Sequence, residues 1–156
     1  RRMSVTPPTP QPVLNPELTL QLQDMASHVF VHNLVAEYIV RLVLATRNPS
    51  EFNMPDLARV IQIGNSSRAT LGLTSAARAV ALIHGRDYVL PTDVQAVAKD
   101  VMAHRMVLTF DAIADNISPL QVVERILAMV PAPTPVWNQE QRAASHGQHR
   151  HQPNYS

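Results

Sequence analysis

Cysteine is absent from the 156-residue chain, which excludes a thiolate nucleophile, a disulfide framework and any cysteine zinc site. Glycine is scarce: Gly64, Gly72, Gly85 and Gly147 are the only four, followed by Asn, Leu, Arg and Gln. None precedes a lysine, so the chain holds no P-loop, and four scattered glycines cannot spell a dinucleotide fingerprint. Lysine is scarcer still. Lys99 stands alone, so 12 of the 13 positive charges are arginines. Acids nearly balance them; a net charge of +1 and a pI near 8.5 are too mild for a nucleic-acid domain, whose pI usually exceeds about 9. Aromatic residues make up 4% against 46% hydrophobic, so the core must be built mainly from aliphatic side chains. A long apolar run is missing too. The best candidate, Val35 to Ala45, is interrupted by Glu37 and Arg41, well short of the roughly 18–20 residues of a membrane span. The chain starts Arg1-Arg2-Met3 with no signal-peptide core behind it. These absences point to a soluble, cytoplasmic fragment.

What is present is helical periodicity between two proline-rich ends. Residues 1–14, with Pro7, Pro8, Pro10 and Pro12, read as an extended linker. Residues 132–156, following Pro131, read as a flexible tail rich in Pro, Gln and His, with too little apolar surface to offset its ordering entropy. The domain is expected over 15–131. Asn15-Pro16-Glu17 is a helix start, and Leu18, Leu22, Met25 and Val29 form its stripe. Val29-Phe30-Val31 can be a short strand. A second helix over Asn33–Arg47 is apolar almost all round, which predicts a central, buried position. A third starts near Ser66 and stops at Gly85, placed to take the left-handed position after a helix end, with a core face of Ala69, Leu73, Ala76, Ala77 and Val80. Pro91 opens a fourth helix, and Ser118-Pro119 caps a last one. Met106-Val107-Leu108 is expected to pair with Tyr88-Val89. The fold class is therefore mainly α: a small bundle of about five helices with a minor β-ribbon.

The segment Gly64-Asn65-Ser66-Ser67-Arg68-Ala69-Thr70 carries the most chemical information. With Ser66 as N-cap, Arg68 falls in the first helical turn, where a cation opposes the macrodipole by about 0.3–1 kcal/mol. The free N–H groups of that turn attract anions, and an arginine fork beside them matches phosphate oxygens. The plain alternative is a surface arginine paired with a nearby acid.

Across residues 28–131 the sequence resembles the C-terminal helical lid of MoxR-type AAA+ ATPases. The resemblance rests on Tyr38-Ile39-Val40 with Ala45-Thr46-Arg47, and on Gly64-Asn65-Ser66-Ser67-Arg68-Ala69. It continues in His84-Gly85-Arg86-Asp87-Tyr88-Val89-Leu90-Pro91-Thr92-Asp93-Val94 and His104-Arg105-Met106-Val107-Leu108. Arg1-Arg2-Met3 is similar to the point where that family's nucleotide-binding core hands over to the lid. The family's Gly-x-Ser-Pro-Arg-Ala motif carries the sensor-2 arginine, which by position is Arg68. Ser67 replaces the family's proline, and Leu90 stands where a capping Thr or Ser is common, which weakens the fourth helix's cap.

The resemblance implies that Arg68 contributes to catalysis and, with Ser67, to nucleotide binding; Tyr38 can lie near the adenine or simply be a core tyrosine. It implies ATP and Mg²⁺ as the parent's cofactors, with none expected on this fragment alone. It further implies a partner AAA+ core in the same protein, a homo-oligomeric, hexameric ring, and chaperone-like work on partners with a von Willebrand factor A domain. Thr70 and Ser75 lack a His or acid at triad spacing, so a hydrolase triad has no support. Arg47, Arg86 and Asp93 have a sufficient role in helix macrodipoles, and His104-Arg105 reads as structural. His146, His149 and His151 lack acid or Cys support, so no metal site is expected. Trp137 can dock the tail or stand exposed. Two rival readings stay open: a stand-alone helical protein-interaction module, and a small nucleic-acid-binding domain.

Overall fold

The computed structural model describes residues 12–134. Most of the 1–14 linker, Arg1-Arg2-Met3, Trp137, the histidine group and nearly all of the tail lie outside the described residues. Six helices and one two-stranded ribbon follow in order: α1 (Pro16–Ser27), α2 (Asn33–Arg47), 3₁₀ turns at Pro49–Phe52 and Leu57–Arg59, β1 (Ile61–Ile63), α3 (Ser67–Ile83), α4 (Pro91–Met102), a 3₁₀ turn at Ala103–Arg105, β2 (Val107–Leu108), α5 (Phe110–Ala114) and α6 (Pro119–Met129). Among the described residues no helix is long and apolar enough to cross a membrane.

The helix boundaries follow local chemistry. Asn15 accepts the Leu18 N–H at 2.7 Å, ahead of Pro16 at the first helical position. Ser118 and Gln121 form a reciprocal capping box, Ser118 Oγ accepting from Gln121 N at 3.3 Å and Gln121 Oε1 from Ser118 N at 2.8 Å. Gly85 takes φ +68°, and its N–H bonds the Leu82 carbonyl while that of Arg86 bonds the Ala81 carbonyl. This is a Schellman ending that a β-carbon would strain. Leu90 offers no cap to α4; instead Asp93 accepts the Leu90 N–H at 2.7 Å.

The core lies among α2, α3, α4 and α6. Val35, Tyr38, Ile39 and Leu42 meet Ala69, Leu73, Ala77 and Ala81, closed by Val94, Ala98, Met102, Val122, Val123 and Ile126. Three alanines among the four fully buried positions of α3 allow neighbouring helices close approach, an arrangement that suits the small aromatic share. Ala76 and Val80 flank this row half-buried rather than inside it.

Three expectations are corrected. The α1 stripe is not buried: Leu18, Leu22 and Met25 stay exposed, because α1 lies along α3 at the edge of the bundle and only Val29, past its end, enters the core. Nor is α2 buried all round. Leu34, Val40 and Leu44 face outward, since α3, α4 and α6 cover only the Val35–Leu42 side. The ribbon also has other partners: Val107–Leu108 pairs antiparallel with Ile61–Ile63, not with Tyr88-Val89. Tyr88 instead forms a parallel bridge with Phe30, held by Phe30 N to Asp87 O at 2.8 Å and Val89 N to Phe30 O at 2.9 Å. The three-residue β1 had too short an alternation to stand out from a loop, and the five-residue α5 raises the helix count from five to six.

Candidate functional site

The site is built where β1 turns into α3. Gly64 crosses the end of α2 so closely that a β-carbon there would stand 2.4 Å from the Thr46 carbonyl oxygen. No side chain fits that gap. Gly64→Ala is expected to cost at least about 1–3 kcal/mol by forcing two backbones apart, read as a lowered urea midpoint at unchanged slope.

Asn65 follows, fully buried. Its N–H donates to Thr46 Oγ1 at 2.8 Å, and that hydroxyl donates to the Val43 carbonyl at 2.7 Å. Its side-chain amide, oriented by the surrounding acceptors, donates from Nδ2 to the carbonyls of Met102 at 3.2 Å and Arg105 at 3.3 Å. One residue therefore ties the start of α3 to the ends of both α2 and α4.

Ser66 is the N-cap with φ −86° and ψ 173°, but its side chain caps nothing. By contrast, side chains cap α1, α2, α5 and α6. Ser67 and Arg68 are the first two residues of α3, both exposed. Arg68 has no hydrogen bond or ion pair among the described residues, so the acid partner of the plain alternative is missing there. The first turn of α3 thus presents uncapped N–H donors and an uncompensated guanidinium to solvent, on a base fixed by Gly64 and Asn65. Such a base fixes the backbone from which the arginine reaches an anion, while the exposed side chain itself is ordered only on contact.

Tyr38 stands elsewhere. It is 1% exposed on the core face of α2, its hydroxyl accepts from Gln95 Nε2 at 3.3 Å, and burial pushes its phenol up despite that bond. The structure does not bring it to the surface with Ser67 and Arg68. Arg86 and Asp93, assigned separately to helix ends, face each other: Arg86 donates to both carboxylate oxygens at 2.7 and 2.6 Å and to the Tyr88 carbonyl at 3.1 Å. Two surface hollows, one along α2 at Ala36, Glu37 and Val40, the other between α1 and α3 at Met25, Val29 and Leu82, do not include Arg68. Thr46 and Asn65 are the site residues that motif reading left without a role. Their signal was Gly64, directly before Asn65 and packed against the Thr46 carbonyl, since a glycine marks a close backbone approach.

Residues 56–126 match the family model for the AAA lid domain. The chain is 48% identical over 132 residues to chaperone MoxR1 of Mycobacterium tuberculosis, covering 85% of this chain and 35% of that protein. These residues are an AAA lid domain of the MoxR type. Protein MoxR of Paracoccus denitrificans is 37% identical over 102 residues, covering 62% of this chain and 30% of that protein. The solved structure of a proposed ATPase from Cytophaga hutchinsonii superposes with a TM-score of 0.72 at 37% identity, over 74% of this chain and 35% of the other. The lid chain thus spans about a third of the length of these relatives.

Proposed function

We propose that this lid works in a MoxR-type AAA+ ATPase and that Arg68 is its sensor-2 arginine, contacting the terminal phosphates of ATP held by a P-loop core. The observation that supports this is an exposed, unpaired arginine in the first turn of α3, on a segment clamped to α2 and α4 through Gly64 and Asn65. As phosphoryl transfer proceeds, charge spreads over the oxygens of the transferred group, and a preorganised guanidinium stabilises it. The donor set fits a phosphate: Arg68 supplies a planar fork, and the Ser67 end of α3 supplies backbone N–H groups. No three metal-ligating side chains cluster among the described residues, and in this reading Mg²⁺, which takes one or two carboxylates together with the nucleotide's phosphate oxygens, would be held by the core.

In this reading the chain alone is inactive and binds ATP no tighter than roughly millimolar, about 4 kcal/mol. The lid moves with nucleotide state as one body, in a homo-oligomeric, hexameric ring in the cytoplasm acting on proteins with von Willebrand factor A domains. ATP turnover by a protein joining this lid to its core, with Arg68 intact or replaced, tests the reading. Unchanged turnover overturns it.

A protein-interaction role is the second reading, favoured by the outward Leu34, Val40 and Leu44 on α2. Val40→Asp would then abolish partner capture while leaving ATP turnover intact.

A further inference from the structure

Among the described residues, α1 is the one long helix that no hydrogen bond or ion pair ties to the rest of the bundle. Its polar contacts all stay within residues 15–28. Asn15 accepts from Leu18 and Thr19, Ser27 and His28 bond the Asp24 carbonyl, and the Asp24–His28 ion pair is internal too. The other long helices are each joined to a neighbour. Thr46 and Asn65 link α2 to the start of α3, Arg86 and Asp93 link the end of α3 to α4, and Lys99 and Glu124 link α4 to α6. The first bond from the α1 end of the chain to the bundle comes at Phe30, whose N–H donates to the Asp87 carbonyl at 2.8 Å.

Apolar contact holds α1 no more firmly. None of its residues is buried, whereas α2, α3, α4 and α6 each bury three or more. Leu18, Leu22 and Met25 remain 40, 37 and 54% exposed, and a hollow opens between α1 and α3 at Met25, Val29 and Leu82. One turn before Leu82, on the same side of α3, Arg78 buries its Nε with no hydrogen-bond acceptor among the described residues. A buried donor without a partner favours any conformation that lets water reach it. A helix of about a dozen residues is also marginal by itself, so α1 depends on a contact that is weak on both counts.

We infer that α1 is a releasable strap, which leaves α3 as a unit while the bundle beneath it stays folded. The pivot lies between Ser27 and Val29. Val29 is buried in the core, and the Phe30 backbone is bonded to Asp87 and Val89, so the motion ends there. Release hydrates Arg78, uncovers Leu82 and frees the Leu18–Met25 stripe. A displacement arriving along the chain from residues 1–14 meets α1 first, and release absorbs it before it reaches the core. None of this depends on what Arg68 binds.

The test is amide hydrogen exchange of the 156-residue chain, resolved by residue with NMR. Protection over Leu20 to Ser27 should be uniform and at least about 100-fold below that of Leu73 to Ala81 in α3, the pattern of a unit that opens without global unfolding. Arg78→Met keeps the helix propensity and the length of the side chain while removing the unpartnered donor. It should raise the protection of α1 about tenfold and leave that of α2 and α4 unchanged. Equal protection in α1 and α3 overturns the inference, since α1 would then open only with the whole bundle. Protection that climbs steadily from Pro16 toward Ser27 overturns it as well, because that is fraying from one end. So does an Arg78→Met variant whose α1 protection is unmoved or lower, which would make the arginine's methylenes a support for closure.

Discussion

Arg68→Ala, in a protein that carries this lid on its P-loop core, is expected to lower kcat for ATP hydrolysis by about 10²–10³, the loss typical of one preorganised donor to developing charge, about 3–4 kcal/mol. The same substitution should leave the fold intact. Arg68 is exposed and bonds nothing among the described residues, so its removal orphans no buried group. It also relieves a cation at the positive end of α3, which returns about 0.3–1 kcal/mol of stability. The variant should therefore melt at or slightly above the parent temperature while losing turnover. A structural arginine would move both readouts down together. Arg68→Lys keeps the charge without the planar fork and should fall between the two. Loss of turnover accompanied by a matching fall in melting temperature would remove the sensor-2 assignment.

The sequence carried most of the helical frame because each helix start has its own local chemistry. Asn15-Pro16, Pro91 and Ser118-Pro119 open helices where the structure has them, and Gly85 ends α3 in the left-handed conformation expected of it. Sheet pairing was not legible. Ile61–Ile63 is three residues long, and nothing local distinguishes Tyr88-Val89 from Ile61–Ile63 as the partner of Val107–Leu108; that choice is made by where α3 and α4 run. Burial failed for the same reason. Periodicity identifies an apolar face but not whether a neighbour covers it, so the stripes at Leu18–Met25 and Val40–Leu44 read as interior and lie outside. At the site, the place of Arg68 in the first turn of α3 was legible from the helix start. Its support was not: Thr46 lies 19 residues before Asn65 in the chain, and the Asn65 contacts at Met102 and Arg105 are farther still.

Asp93→Ala is expected to be among the most damaging single changes to the lid, at about 3–5 kcal/mol and a fall in Tm of roughly 10–20 °C. Asp93 is the clasp between the end of α3 and the start of α4. Its carboxylate, with the side chain 4% exposed, takes two N–H groups of Arg86 and the Leu90 N–H. Alanine leaves a partly buried guanidinium with only the Tyr88 carbonyl at 3.1 Å, and leaves α4 without a capping acceptor. Asp93→Asn separates these losses, since an amide oxygen can still take the Leu90 N–H while the charge is gone; it should cost less than alanine. Acid titration provides the independent check. Burial pushes the Asp93 carboxyl up, but the Arg86 hydrogen bonds, the Leu90 N–H and the Arg86 charge outweigh it, and the net shift is downward. A folded-state value below the unfolded one, about 3.9, means that the pair's stabilisation is fully present above roughly pH 4 and is lost as pH falls through the folded value. The stability gap between the parent chain and Asp93→Asn should thus be constant from neutral pH to about pH 5 and close progressively below pH 4. A gap that persists undiminished in acid would mean that Asp93 acts through packing alone, and that the Arg86 pair is not what holds α3 to α4.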